Sequence, residues 1–175
     1  MVHTSAAGAA SAASALRLRA PVNLVSRRAL WYWTARAAIV WVLAVAVEVF
    51  ALIELAGDRA PMVAVVAVTV LLAAAHLIVM PQWRFRVHRW EVSDTAVYTQ
   101  SGWFTQERRI APLSRIQTVD TERGPLEQLF RLSNVTVTTA SAAGPLRIHG
   151  LDRVTADHLT AELTAATSAR NDDAT

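Results

Sequence analysis

Residues 37–80 read AAIVWVLAVAVEVFALIELA, then GDRA, then PMVAVVAVTVLLAAAHLIVM. Each apolar run, 37–56 and 61–80, is 20 residues long. At about 1.5 Å per helical residue, each reaches roughly 30 Å, the thickness of a hydrocarbon core. The break at 57–60 holds Gly57, Asp58 and Arg59, which are turn-forming and polar. Pro61 suits a first helical position, where a missing N–H costs nothing. So short a connection makes the helices antiparallel neighbours. Two consecutive full-length spans in a chain of 175 residues argue for a membrane hairpin rather than the buried core of a soluble protein.

Working outward, arginine crowds both flanks. Arg17, Arg19, Arg27, Arg28 and Arg36 precede the first run, with no acid before Glu48, and Arg84, Arg86 and Arg89 follow the second. The loop between the runs carries one Arg and one Asp. The positive-inside rule then places both termini in the cytoplasm of a multi-pass protein of the cell's plasma (inner) membrane. Trp31, Tyr32, Trp33 and Trp41 at the entry, and Trp83 and Trp90 at the exit, suit membrane–water interfaces. All 17 basic residues are arginine, and from Glu91 onward 8 Arg face 11 Asp and Glu. The positive charge is therefore juxtamembrane, which excludes a nucleic-acid reading of the high pI. There is no cysteine, hence neither a disulfide framework nor a thiolate metal site. Residues 1–20 are rich in Ala and Ser, with late arginines and no apolar run. That order is wrong for a secretory signal. An organellar transit peptide shares the composition, but the segment is expected to be a disordered cytoplasmic tail.

Beyond the second run the period changes to two. Alternation starts at Phe85, and residues 96–100, 103–110, 116–121, 135–139 and 146–151 read as strands. Ser101-Gly102 and Ala142-Ala143-Gly144 read as turns, and Gly124–Phe130 as a turn with a short helix. Asp152 can cap a closing helix over 154–166, with Val154, His158, Leu159 and Leu163 near one face. Short strands followed by one amphipathic helix describe a small barrel or sandwich with a helical plug.

The collinear set Arg115-Ile116-Gln117-Thr118-Val119-Asp120, Gly124-Pro125-Leu126, Leu129-Phe130, Leu132 and Val135–Ala140 resembles the bacterial pleckstrin-homology-like (PH-like) membrane proteins. Pro112-Leu113 and Val25–Trp33 fit the same pattern. The resemblance covers most of residues 23–166. It implies a bent, seven-stranded antiparallel PH-like sandwich closed by a C-terminal α-helix, and it brings no established reaction or ligand. Where the family usually has Gln, Arg and Gly, this chain has Arg123, Gln128 and Arg131. Glycine accepts a left-handed backbone that arginine tolerates less well, so the departure at 131 bears on the local turn. The expected organisation is an α+β membrane protein. It has a disordered tail at 1–36, transmembrane helices at 37–56 and 61–80 around an extracytoplasmic loop at 57–60, a PH-like domain at 82–167 and a disordered tail at 168–175.

The sequence offers little chemistry. His3, His76, His88, His149 and His158 show no metal-ligand spacing, and no nucleophile elbow, phosphate loop or dinucleotide fingerprint is present. No catalytic residue, metal or cofactor is expected. Glu48 and Thr69 lie at about the same depth, roughly 12 Å from the outer face, and can bond across the hairpin. Glu48 can equally meet a polar group of a partner's helix. Arg84, Arg86 and Arg89 are candidates for anionic lipid headgroups, against plain topology anchoring. Arg108, Arg109 and Arg115 are candidates on the domain surface. The leading expectation is a non-enzymatic, membrane-anchored module whose partners are the bilayer and a protein, another PH-like membrane protein or a second copy of itself. The alternative is an anionic headgroup or small ligand bound at the inner leaflet.

Overall fold

A computed structural model describes residues 20–54, 59–102, 104–142 and 144–172. Two long helices, α1 (Arg28–Glu54) and α2 (Arg59–Val87), form an antiparallel hairpin. Their apolar side chains point outward. Leu43, Phe50 and Leu71 are more than half exposed, and only 6% of each apolar window is buried. A core helix of a soluble protein would show the reverse; these surfaces are built for lipid. Among the described residues, two side-chain hydrogen bonds tie the helices together. Trp41 Nε1 donates to His76 Nδ1 at 2.8 Å, and Thr69 Oγ1 donates to Glu48 Oε1 at 2.8 Å. The two pairs are seven residues apart on both helices, so one antiparallel register carries both.

Both helices overrun their expected inner ends. α1 starts at Arg28, within the segment expected as a disordered tail, and α2 continues through Pro81 to Val87, where alternation had suggested a strand. The cause is packing. Ala29, Tyr32, Trp33 and Ala37 form one buried helical stripe with the spacing of an amphipathic face. Arg59 and Ala60, expected in the loop, are already helical. Residues 1–19, 55–58 and 173–175, and with them part of the expected tails and loop, lie outside the described residues.

The domain has two antiparallel sheets. One runs β1 (Asn23–Leu24), β2 (Arg89–Val92), β3 (Ala96–Ser101), β4 (Glu107–Pro112); the other runs β5 (Ile116–Glu122), β6 (Leu132–Thr139), β7 (Leu146–Asp152). A 3-10 turn, Leu113–Arg115, joins the sheets, and the short helix α3 (Pro125–Leu129) precedes β6. The β-branched run of β6 is buried on both faces, as a central strand requires. Helix α4 (Arg153–Asp172) closes the open end, burying Ala156, Leu159 and Leu163 against Val97, Val135 and Val137. Val154 and His158, expected on that buried face, are exposed. The strand expected at 103–110 begins only at Glu107, so Phe104 sits in the loop. Gly102 at φ +98° sets that turn, and a Cβ there would collide with the Thr105 carbonyl oxygen.

Strand β1 lies before the hairpin in sequence. Asn23 pairs with Trp90, and Leu24 with Arg89. The membrane hairpin is thus an insertion between the first and second strands of the domain, and its two ends lie on one side of the membrane. The expected domain boundary at 82 therefore omits a strand and the first turns of α1.

Candidate functional site

The domain-side end of the hairpin is welded to the domain through a second core. Val25, Ala29, Tyr32 and Trp33 pack on Leu132, flanked by Phe85, Trp90, Leu126 and Phe130. Gly150 makes the close approach possible: at φ +76°, an added Cβ would stand 2.9 Å from the Ala29 Cβ. Ser26 N–H donates to the Gly150 carbonyl at 2.9 Å. Ser26 Oγ donates to Asp152 Oδ2 at 2.6 Å and accepts the Arg28 N–H at the helix entrance.

Glu127 is the polar keystone of this junction. Its Oε1 accepts from Tyr32 Oη at 3.0 Å and Asn134 Nδ2 at 3.1 Å, and its Oε2 accepts the Gly124 N–H at 2.6 Å. Burial acts to raise its pKa, but these bonds to the charged form prevail and hold it below the usual carboxylate range. Asn134 Oδ1 in turn accepts the Gly150 N–H at 3.0 Å. One carboxylate thus links α1, α3, β6 and β7.

Arg84 lies with its guanidinium 4.7 Å from the Trp33 ring centroid, and its Nε has no hydrogen-bond partner among the described residues. Trp33 is 5.2 Å from His88, centroid to centroid. His88 is 4% exposed, and its Nδ1 reaches the Arg84 carbonyl at 2.8 Å. Burial pushes its pKa down to about 4; the nearby Arg84 and His149 charges act the same way, and the carbonyl bond opposes them. His149 is lowered as well, by burial first and then by Arg84 and Arg147.

The three arginines expected at headgroups therefore divide. Arg84 is half-buried on Trp33, Arg86 is exposed, and Arg89 donates from Nε to the Arg86 carbonyl at 3.3 Å. On the domain, Arg108 bonds Gln100 Oε1 at 3.1 Å, Arg109 bonds the Pro145 carbonyl at 2.6 Å and pairs with Glu107, and Arg115 is exposed. The Glu48–Thr69 bond is present, and the second oxygen, Glu48 Oε2, is buried and unpartnered among the described residues.

A different group of arginines does converge. Arg28, Arg123, Arg131 and Arg153, with Gln128 and Asp152, line an open cleft of about 1070 Å³. Arg28 pairs with Asp152 at 2.7 Å, while Arg123 and Arg153 share Asp157 at 3.1 and 3.7 Å. Four guanidinium groups against two carboxylates leave the cleft positive. Arg131 adopts φ +55°, the left-handed backbone for which glycine is the usual residue. Its N–H donates to Gln128 and its carbonyl accepts from Arg153, so both ends of the turn are fixed. Sequence spacing gave no sign of this cluster, because its members come from the start of α1, the segment before α3, the turn before β6 and the start of α4. The available signal was that Arg123, Gln128 and Arg131, all lining the cleft, stand where the resemblance expects Gln, Arg and Gly.

The model of the family described as the bacterial PH domain matches residues 37–167, about three quarters of the chain. The chain is also 34% identical over 95 residues to the UPF0699 transmembrane protein YdbS of Bacillus subtilis (strain 168), over 54% of this chain and 58% of that protein. It thus aligns with little more than half the length of that relative. No solved structure matches. With two lipid-facing helices and, among the described residues, seven antiparallel strands and a closing C-terminal helix, the chain belongs to the bacterial PH domain family, as a transmembrane member of it.

Proposed function

We propose that this protein is a non-enzymatic, membrane-anchored interaction module whose PH-like domain docks a protein partner at the cytoplasmic face. The arginine-rich inner flanks support that orientation. The observation that carries the docking is strand β5. It is hydrogen-bonded to β6 along one side, no strand lies along its other side among the described residues, and Gln117, Thr118, Asp120, Thr121 and Glu122 are exposed. A seven-residue strand packed by α4 but without a second strand partner among the described residues is a template for an added strand. The partner fitting it supplies an extended segment, from another PH-like membrane protein or a second copy of this one. The test is a photo-crosslinking residue at Thr118 in the native membrane, with Ser114 as the control site. A discrete protein adduct at Thr118, absent at Ser114, supports the reading. Equal or no adducts at the two sites remove it.

The arginine cleft favours a second reading, a small anionic ligand. At 1.5 Å per residue, Arg28 lies about 14 Å below Ala37, while the headgroup layer extends only some 5–8 Å beyond the hydrocarbon. The cleft is thus out of reach of a lipid headgroup, and its ligand is a soluble anion. Titration of the protein in detergent with inorganic phosphate and pyrophosphate, beside an Arg123→Ala/Arg131→Ala variant, tests this. Identical isotherms for the two proteins would remove it.

A further inference from the structure

We infer that the β3–β4 hairpin tip is a third membrane contact, seated at the acyl–headgroup boundary of the leaflet next to the domain. This goes beyond the docking role, because it concerns which way the domain faces rather than what it holds. Phe104, at the tip, is 89% exposed, the most exposed large apolar side chain among the described residues. It does not face open water. It forms one wall of an apolar groove of about 540 Å³ whose other wall is α2 itself, at Ala75, His76, Val79, Met80 and Trp83.

The depth follows from the helix. The apolar run ends at Met80, and Arg84 and Arg86 beyond it mark the polar boundary. At 1.5 Å per residue, Ala75 lies about 7.5 Å inside the hydrocarbon and Trp83 about 4.5 Å outside it. A side chain that shares a groove with both occupies the acyl–headgroup boundary, where aromatic rings are favoured. The groove lies on the outward face of α2: Ala75 and Val79 are exposed, while Ala73 is buried in the hairpin. What covers it is therefore what covers the rest of the outward face of α2, namely lipid.

The local sequence is built for such a seat. The loop after Ser101 reads Gly102-Trp103-Phe104-Thr105-Gln106, with two aromatics between polar residues. Gly102 takes the left-handed backbone of this turn, where an added Cβ would collide with the Thr105 carbonyl oxygen. With the hairpin welded at one point of the domain, a second contact at the tip would stop the domain pivoting about the weld.

The chain has no cysteine, so a single introduced cysteine is a clean reporter. Phe104→Cys, Leu71→Cys and Ser114→Cys are each spin-labelled in the full-length protein, which is then placed in phosphatidylcholine/phosphatidylglycerol vesicles. Leu71 marks lipid and Ser114 marks water. Power saturation with oxygen and with a water-soluble nickel chelate reads the depth. The expected result is an oxygen-to-nickel accessibility ratio at 104 several-fold above that at 114 and below that at 71. A ratio at 104 equal to that at 114 overturns the inference, placing the tip in water. So does a label at 104 shielded from both reagents, which means protein rather than lipid covers the groove.

Discussion

Gly144 and Gly150 share φ +76° but not surroundings, which makes them a matched pair. Alanine at either position must adopt a left-handed backbone, at about 1–2 kcal/mol. At Gly144 that is the whole cost, because nothing lies within 4 Å of the added methyl. At Gly150 the methyl meets Ala29 Cβ at 2.9 Å, with Trp33 at 3.7 Å and Val25 at 4.0 Å. Contact that close forces α1 away from β7 and adds an overpacking cost of about 1–3 kcal/mol. Gly150→Ala should therefore destabilise by about 2–5 kcal/mol and Gly144→Ala by about 1–2. For a domain of this size each kcal/mol is about 4–8 °C, so thermal unfolding in detergent separates the two. Combining Gly150→Ala with Ala29→Gly removes the methyl–methyl contact and should recover most of the difference. Equal midpoints for the two alanine variants, or no rescue by Ala29→Gly, would refute the claim that Gly150 is where anchor and domain are locked.

Three more outcomes follow from the same geometry. His88 binds its proton at about pH 4 in the folded protein against 6.5 when unfolded. Stability should hold above pH 6.5 and fall by about 3 kcal/mol between pH 6.5 and 4; His88→Gln should flatten that slope, and a denaturant midpoint measured across pH reads it. Arg131→Gly should relieve the left-handed strain and raise the unfolding midpoint, for a gain of about 1 kcal/mol; a lowered midpoint contradicts the assignment. Within the membrane, a Glu48→Ala/Thr69→Val double-mutant cycle, followed by unfolding in mixed micelles, should give a coupling of about 0.6–2 kcal/mol. A coupling of zero means the bond contributes nothing.

The sequence disclosed what has a period. Two spans, five of the seven strands and the C-terminal helix each leave a run long enough to count. It hid what has none. A two-residue strand at Asn23–Leu24 cannot show alternation. Residues 28–36 and 81–87 look like charged membrane flanks, and their helical continuation becomes evident only when the domain that buries them is in place. Arg84 reads as a headgroup arginine until Trp33 is found beneath it. Residues 103–110 read as the hairpin partner of 96–100, whereas the strand begins only at Glu107 and leaves Phe104 in the loop that Gly102 turns. Of the candidate site, the Glu48–Thr69 pair could be anticipated from depth alone. The arginine cleft and the Glu127 keystone could not, being assembled from distant parts of the chain.

Because β1 is made first and its partner β2 only after the whole hairpin, the order of synthesis constrains the order of assembly. Asn23 and Leu24 leave the ribosome more than sixty residues before Arg89 and Trp90 exist to receive them. They can pair only in a chain whose second helix has come back through the bilayer. A chain arrested with one helix inserted keeps β1 and the rest of the domain on opposite sides, with the outer edge of β2 bare. Closure of this sheet is therefore a built-in receipt for correct membrane insertion, and a chain that lacks it carries an exposed strand edge by which it can be told apart.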